Sequence, residues 1–267
     1  ASVEFRMDID GQRGSTFTQT LGLADNPVIP VATPADPVLP TFPIKPLVLD
    51  WTLYGATPST LNNGNDPEFG ARNTLALQTA IDNISKNGGG TVFIGAGTWY
   101  VGHVTARSNV TIDLDAGAVL RILGPGTGVA AYGDATQPFI KGVGITNFEF
   151  TGAGELDANS AAWRTNPPVP PTLFEFDGST NIDIHDADIQ NVPGTVFSFG
   201  TAVVNNKLIG SSNVVINNVN FLGLGANSQG ILINGCHNFL IENMLVPPPV
   251  TPPVPAVTVG LGFTNED

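Results

Sequence analysis

The chain has 267 residues, a formal net charge of −13 and 42% hydrophobic residues. That is enough apolar material for one large core. Ten Lys and Arg stand against 23 Asp and Glu, which excludes nucleic-acid backbone binding, since that needs a clustered basic surface. No apolar run reaches the roughly 18 residues of a membrane span.

Thirty-one glycines and 22 prolines with only 12% charged residues point to a turn-rich, mostly β protein. The single cysteine, Cys236, excludes an intrachain disulfide. The chain starts at Ala1 rather than Met, and lysines are few while Asn, Thr and Gly abound. These features predict a processed or incomplete chain and an extracellular protein.

In chain order, Val3, Phe5, Met7 and Ile9 alternate with polar residues, and Asp10-Gly11 begins a turn. This predicts a hairpin over residues 1–24, with Phe17 and Leu21 on its second strand. Pro27, Pro30, Pro34, Pro37, Pro40, Pro43 and Pro46 then recur at steps of three or four. Three residues per turn is the polyproline II period, so residues 25–48 read as an extended arm. Leu77, Ala80, Ile81 and Ile84 carry the i, i+3, i+4, i+7 pattern of a helix over Thr74–Ile84, with Asn73 as N-cap and Asn87-Gly88 as stop.

Beyond Gly90 the chain reads as short strands, and a degenerate repeat emerges. Asn109-Val-Thr-Ile, Asn147-Phe-Glu-Phe, Asn181-Ile-Asp-Ile, Asn213-Val-Val-Ile and Asn238-Phe-Leu-Ile share the form Asn, apolar, any, apolar. A second strand precedes most of them, at Phe139-Ile140, Leu173-Phe174, Leu208-Ile209 and Ile231-Leu232. A period of about 25 to 40 residues built from short strands predicts a solenoid. Propeller blades need four strands each, and these units offer two or three. A parallel β-helix fits, with Asn109, Asn147, Asn181, Asn213 and Asn238 stacked as a ladder at one corner. The predicted organisation is a hairpin and arm over 1–48, a β-helix over 49–246, and a Pro-rich C-terminal segment over 247–267.

Several stretches resemble known proteins. Tyr54-Gly55-Ala56, Asn73 to Ile81, Gly88-Gly89-Gly90-Thr91-Val92-Phe93-Ile94 and Gly97-Thr98-Trp99 resemble the opening of pectin-lyase-fold proteins. Gly152-Ala153-Gly154-Glu155-Leu156-Asp157 with Trp163, and Leu173 to Phe176 with Ser179, Asn181-Ile182 and Asn191-Val192-Pro193, resemble the polygalacturonases of glycoside hydrolase family 28. The resemblance spans about residues 50–246. It implies an all-β, right-handed parallel β-helix whose first coil is capped by the helix. The superfamily also contains lyases, epimerases, phage tailspikes and inert scaffolds.

For catalysis the resemblance implies an Asn-Thr-Asp-Gly coil, an Asp-Asp pair on the next coil, then His-Gly and Arg-Ile-Lys. Here Asn227-Ser228-Gln229-Gly230 aligns with the first motif, so Gln229 stands in the acid position. An amide neither donates nor accepts a proton at neutral pH. None of the later motifs follows in this sequence.

Other chemistry-bearing residues come from the pattern itself. Asp183, His185, Asp186 and Asp188 share one coil. With Ile182 and Ile184 inward, Asp183 and His185 point outward together, as an acid–base pair or metal ligands. Asp188 is a third candidate. Glu155 and Asp157 flank Leu156 and also read as outward. No cofactor is predicted, although calcium fits the oxygen-rich run Asn62-Asn63-Gly64-Asn65-Asp66, chiefly Asn63, Asn65 and Asp66, and more weakly Asp8-Ile9-Asp10-Gly11. Six prolines between Pro247 and Pro255 precede Val257, Val259, Leu261 and Phe263 in strict alternation. That strand needs a sheet edge to join, which predicts head-to-tail pairing with copies of the same chain.

The sequence alone therefore predicts an extracellular scaffold or filament subunit on a degenerate polysaccharide-enzyme fold. A pectin-type hydrolase or lyase and a carbohydrate-binding spike or adhesin are the alternatives. Polysaccharide and self-association are the predicted partnerships, with no nucleic acid and no membrane.

Overall fold

The computed structural model describes residues 2–5, 17–20, 47–59, 67–128, 130–163, 169–224 and 229–245. Two compact units divide the chain at residues 1–36 and 37–267. In the first, β1 (Ser2–Phe5) and β2 (Phe17–Thr20) pair antiparallel, Phe5 opposite Phe17. The Pro-rich arm, residues 60–66, and everything beyond Leu245 lie outside the described residues. So do the candidates Asn63, Asn65, Asp66, Val257, Val259, Leu261 and Phe263, and with them the expected self-association strand.

In the second unit, β3 (Val48–Asp50) already pairs with the first coil, so the β-helix begins at Val48 rather than after an arm ending there. The coils then follow a three-strand rule. The first holds β4 (Gly90–Ile94), β5 (Gly97–Val101) and β6 (Val104–Thr105). The second holds β7 (Val110–Leu114), β8 (Ala118–Ile122) and β9 (Ile140–Val143). The third holds β10 (Thr146–Thr151), β11 (Glu155–Asp157) and β12 (Phe174–Asp177).

In the fourth coil β13 (Thr180–Val192) bends through Asp186 and serves two faces before β14 (Thr195–Val204). The hairpin partner β15 (Lys207–Gly210) comes next, then β16 (Ser212–Leu224) and β17 (Gln229–Ile233) in the fifth coil. Finally β18 (His237–Glu242) opens a sixth pass. Strands from successive coils stack in parallel to give three faces. This is the right-handed parallel β-helix implied by the sequence.

Leu208-Ile209 does not form a coil strand. β15 pairs antiparallel with the end of β14, Val203 opposite Leu208, as a hairpin inserted between coils. Its apolar pattern mimics the repeat because Ala202 and Ile209 pack over the corner glycine Gly178.

The core follows from period-two alternation. On β4, β7 and β8 every second residue is buried. Six phenylalanines fill the centre. Phe174 stacks on Phe197 with centroids 5.4 Å apart, Phe176 on Phe199 at 6.0 Å, and Phe148 and Phe150 meet them from the first face. Space for Phe176 depends on its register partner being Gly142, where a Cβ would lie 2.6 Å from the ring.

The helix α1 runs Gly70–Lys86, longer than the Thr74–Ile84 predicted, and buries Ala76, Leu77, Ala80, Ile81 and Ile84 against the first coil. Asn73 is not its N-cap. It is buried inside the first turn, where its amide donates to Thr57 O (2.9 Å) and accepts from Thr57 N (2.8 Å). The helix also satisfies the open edge of the first coil. Gln78 accepts from Thr105 N at 2.7 Å and donates to Thr105 O at 3.1 Å, imitating a neighbouring strand.

The five repeat asparagines occupy equivalent corners, all left-handed with φ between 53° and 63°. Asn tolerates that region where β-branched or bulky residues do not. Their amides form a continuous chain: Asn147 donates to Asn109 (2.8 Å), Asn181 to Asn147 (3.0 Å), Asn213 to Asn181 and Asn238 to Asn213 (both 3.1 Å). Asn181→Leu therefore leaves two ladder partners unmet and adds backbone strain. The expected loss is about 1–3 kcal/mol for the unmet groups plus about 1–2 kcal/mol for the conformation. Asn181→Gly should recover the second part only. Urea unfolding of the two variants checks the order; equal stabilities would mean that the left-handed corner carries no cost.

Candidate functional site

The first face presents its outward side chains in rows, because parallel register sets one coil's residue beside the next. One row runs Thr111, Glu149, Asp183 and Val215. The next includes Asp113 beside Thr151, and His185 beside Asn217. The inward neighbours Phe148, Phe150, Ile182 and Ile184 are fully buried, so strands β10 and β13 hold the outward groups on a rigid base. Asp183 and His185 indeed share the outer side, and the structure adds Glu149 to them.

His185 sits between two carboxylates. Its Nε2 lies 2.9 Å from Glu149 Oε1 and its Nδ1 lies 2.8 Å from Asp186 Oδ2. Thr151 Oγ1 is 3.3 Å from the same Nδ1. The other oxygen of Glu149 accepts from Thr111 Oγ1 at 2.6 Å. Asp186 occupies the left-handed corner of β13 and accepts from Asn218 Nδ2 at 2.5 Å.

Hydrogen bonding to Glu149 pushes the His185 imidazole up to about 9, so it is a cation at neutral pH, donating from both nitrogens. Reciprocally, the bond from His185 holds Glu149 below its ordinary range. Asp183 behaves oppositely. Burial between Glu149 and the buried Val215 pushes it up to about 6, and its Oδ1 is buried with no hydrogen-bond partner among the described residues. Burial likewise raises Asp113, with Glu149 and Asp115 adding to it. One oxygen from Glu149, one from Asp183 and a ring nitrogen of His185 all lie within 4.8 Å of one another.

Asp188 does not join this group. Past the Asp186 corner it belongs to the second face, where it accepts from Asn220 Nδ2 at 2.7 Å and stands beside Glu155. Asp157, read as outward, is buried. Arg121 Nε donates to it at 2.7 Å, and Asn191 Nδ2 and the Asn159 backbone N–H close its other oxygen. It is a structural anchor for the third coil. Gln229 begins β17, opposite Thr195 of β14, and its side chain lies outside the described residues.

Glu149 escaped the sequence reading, although a signal existed. Aligning Asn147-Phe-Glu-Phe on Asn181-Ile-Asp-Ile puts Glu149 in register with Asp183 before any coordinates are known.

No family profile matches the chain. It is similar to a probable polygalacturonase from Vitis vinifera, 24% identical over 233 residues, covering 76% of this chain and 46% of that protein. The chain thus spans about half the length of this curated relative. Among solved structures, a hyperthermoactive exopolygalacturonase from Thermotoga maritima superposes with a TM-score of 0.59 at 18% identity, covering 77% of this chain and 53% of that one. An iota-carrageenase complexed to iota-carrageenan fragments superposes with a TM-score of 0.59 at 19% identity, covering 80% and 45%. The shared property is the fold, a pectin-lyase-like β-helix. Among the described residues no helix is long and apolar enough to cross a membrane.

The raised Asp183 gives a test. A carboxyl whose folded-state value lies above the ordinary 3.8 stabilises the fold while protonated and loses that contribution as pH rises toward about 6. Asp183→Asn keeps the shape without the charge. In EDTA it should raise the thermal midpoint at pH 7.5 and leave it nearly unchanged at pH 4. A lower midpoint at pH 7.5 would show that the ionised form is the stabilising one.

Proposed function

We propose that this chain is a polysaccharide-binding β-helix, built on the fold of polysaccharide hydrolases, that recognises its ligand without cleaving it. The carrying observation is a substitution. Aligned on the Asn-Thr-Asp-Gly coil that the resemblance to polygalacturonases implies, Gln229 stands in the position of the acid. The fold and its outward rows of polar side chains remain, and such rows suit the repeated hydroxyl and acidic groups of a sugar polymer. Glu149 does not replace the lost acid. Glu149 is bound on both oxygens and stays ionised, and its nearest proton donor is an imidazolium already shared with Asp186. Low lysine content and net charge −13 suit action outside the cell, where such polymers are met. A scaffold or filament role draws no support from these similarities.

Affinity electrophoresis in gels cast with polygalacturonate or iota-carrageenan tests the reading. Retardation by at least one polymer is expected, with no reducing ends released above a boiled control. Release of reducing ends or unsaturated product would establish the hydrolase or lyase reading instead. Unchanged mobility in both gels would remove these two polymers as ligands.

A further inference from the structure

We propose that Glu149, Asp183 and His185 form a binding site for one divalent first-row transition-metal ion. The ion takes one oxygen from each carboxylate and Nε2 of His185, whose proton is released to solvent, so that the bound imidazole is neutral and keeps its Nδ1 proton for Asp186. Four independent features of the site meet on this reading.

The first is spacing. Metals of the zinc and manganese kind hold nitrogen and oxygen ligands at about 2.0–2.2 Å, so adjacent ligands lie about 3.0–3.5 Å apart. Glu149 Oε1 and His185 Nε2 are already 2.9 Å apart, and one ligand atom from each of Glu149, Asp183 and His185 lies within 4.8 Å of the other two.

The second is outer support. Ligating imidazoles donate their other ring nitrogen to a carboxylate or carbonyl, which fixes the ring and the tautomer. His185 Nδ1 faces Asp186 Oδ2 at 2.8 Å, and Asp186 is itself held by Asn218. Thr111 holds the second oxygen of Glu149, which leaves the first to point at the centre.

The third is the unpartnered oxygen. Asp183 Oδ1 is shut from solvent and has no hydrogen-bond partner among the described residues. A buried polar atom of this kind costs stability unless something fills the vacancy. A cation between Asp183 and Glu149 would do so.

The fourth is charge. Asp113, Glu149, Asp183 and Asp186 converge here, and among the described residues His185 is the cationic group acting on Asp113, Glu149 and Asp183. A divalent ion that displaces one imidazole proton adds one net positive charge to this group. The imidazole selects the ion, since nitrogen ligands suit zinc, copper, iron and nickel while calcium prefers an all-oxygen shell. Because β10 and β13 belong to different coils, the ion also clamps one coil to the next.

The test uses the full chain stripped with EDTA. Calorimetric titration with Zn2+ should show one strong site, weakened at least tenfold in Asp183→Asn and in Glu149→Gln. Zn2+ should raise the thermal midpoint of the unaltered chain and not that of either variant. An experiment that needs no variant adds Mn2+ at substoichiometric amounts and follows the histidine ring signals. The chain has three histidines, His103, His185 and His237. Selective broadening of His185 is expected, and loss of the His103 or His237 signals first would overturn the proposal. So would zinc titrations that are flat, that match Ca2+, or that are unaffected by both substitutions. The metal measurements involve no sugar, so their failure leaves the polysaccharide reading standing, and the reverse also holds.

Discussion

Every coil of this molecule must turn sharply between faces, and the backbone can do so only where a residue accepts a left-handed conformation. That requirement is the constraint on which the rest depends. Twelve non-glycine residues adopt positive φ among those described, eleven of them Asn and one Asp. A short amide or carboxylate side chain bonds locally and tolerates this region. Glycine would turn the corner equally well and leave nothing to stack. Asparagine turns it and also ties each coil to the one before through its amide. A local conformational need and a long-range contact are met by the same atom group, and this locks the register of the solenoid.

Register then governs everything outward. A slip of one residue would move each side chain to the opposite side of its strand. Phe148, Phe150, Ile182 and Ile184 would face water, while Glu149, Asp183 and His185 would enter the core. The cost of either misplacement is several kcal/mol per residue. The corner ladder and the stacked phenylalanines therefore determine, without touching it, that Glu149 stands beside Asp183 and that His185 reaches back to Glu149. The site is a by-product of coil stacking in its placement, though not in its chemistry.

Much of this was legible in the sequence, and what was not shares one cause. The Asn-apolar-any-apolar repeat exposes the corner and the inward positions because both are local demands repeated once per coil. The helix face of Leu77, Ala80, Ile81 and Ile84 shows for the same reason. Asn73 was misread because a polar residue before an apolar pattern looks like a cap, while its actual partner, Thr57, lies 16 residues upstream. The burial of Asp157 was not legible because nothing local shows that Arg121 comes across from the preceding coil. Leu208-Ile209 imitated a coil strand because a hairpin packed over Gly178 obeys the same alternation. Local signals reveal what each coil requires of itself. Pairings between coils become legible only once the repeat is aligned, and Glu149 is the residue that such an alignment recovers.

The same register explains why acidic groups gather on the first face without unravelling it. Like charges on adjacent parallel strands lie about 5 Å apart and repel. The fold meets that repulsion differently on each face. On the second face, Asp157 has Arg121 and Asp188 has Asn220. On the third, Lys141 Nζ lies 2.9 Å from Glu175. On the first face, His185 bridges Glu149 and Asp186, Asn218 also holds Asp186, and Asp183 escapes repulsion by holding its proton to a higher pH. Burial likewise raises Glu155 on the second face and Asp177 on the third. What sets the first face apart is that its two facing carboxylates, Glu149 and Asp183, stand with one imidazole on strands whose inner sides are fully packed.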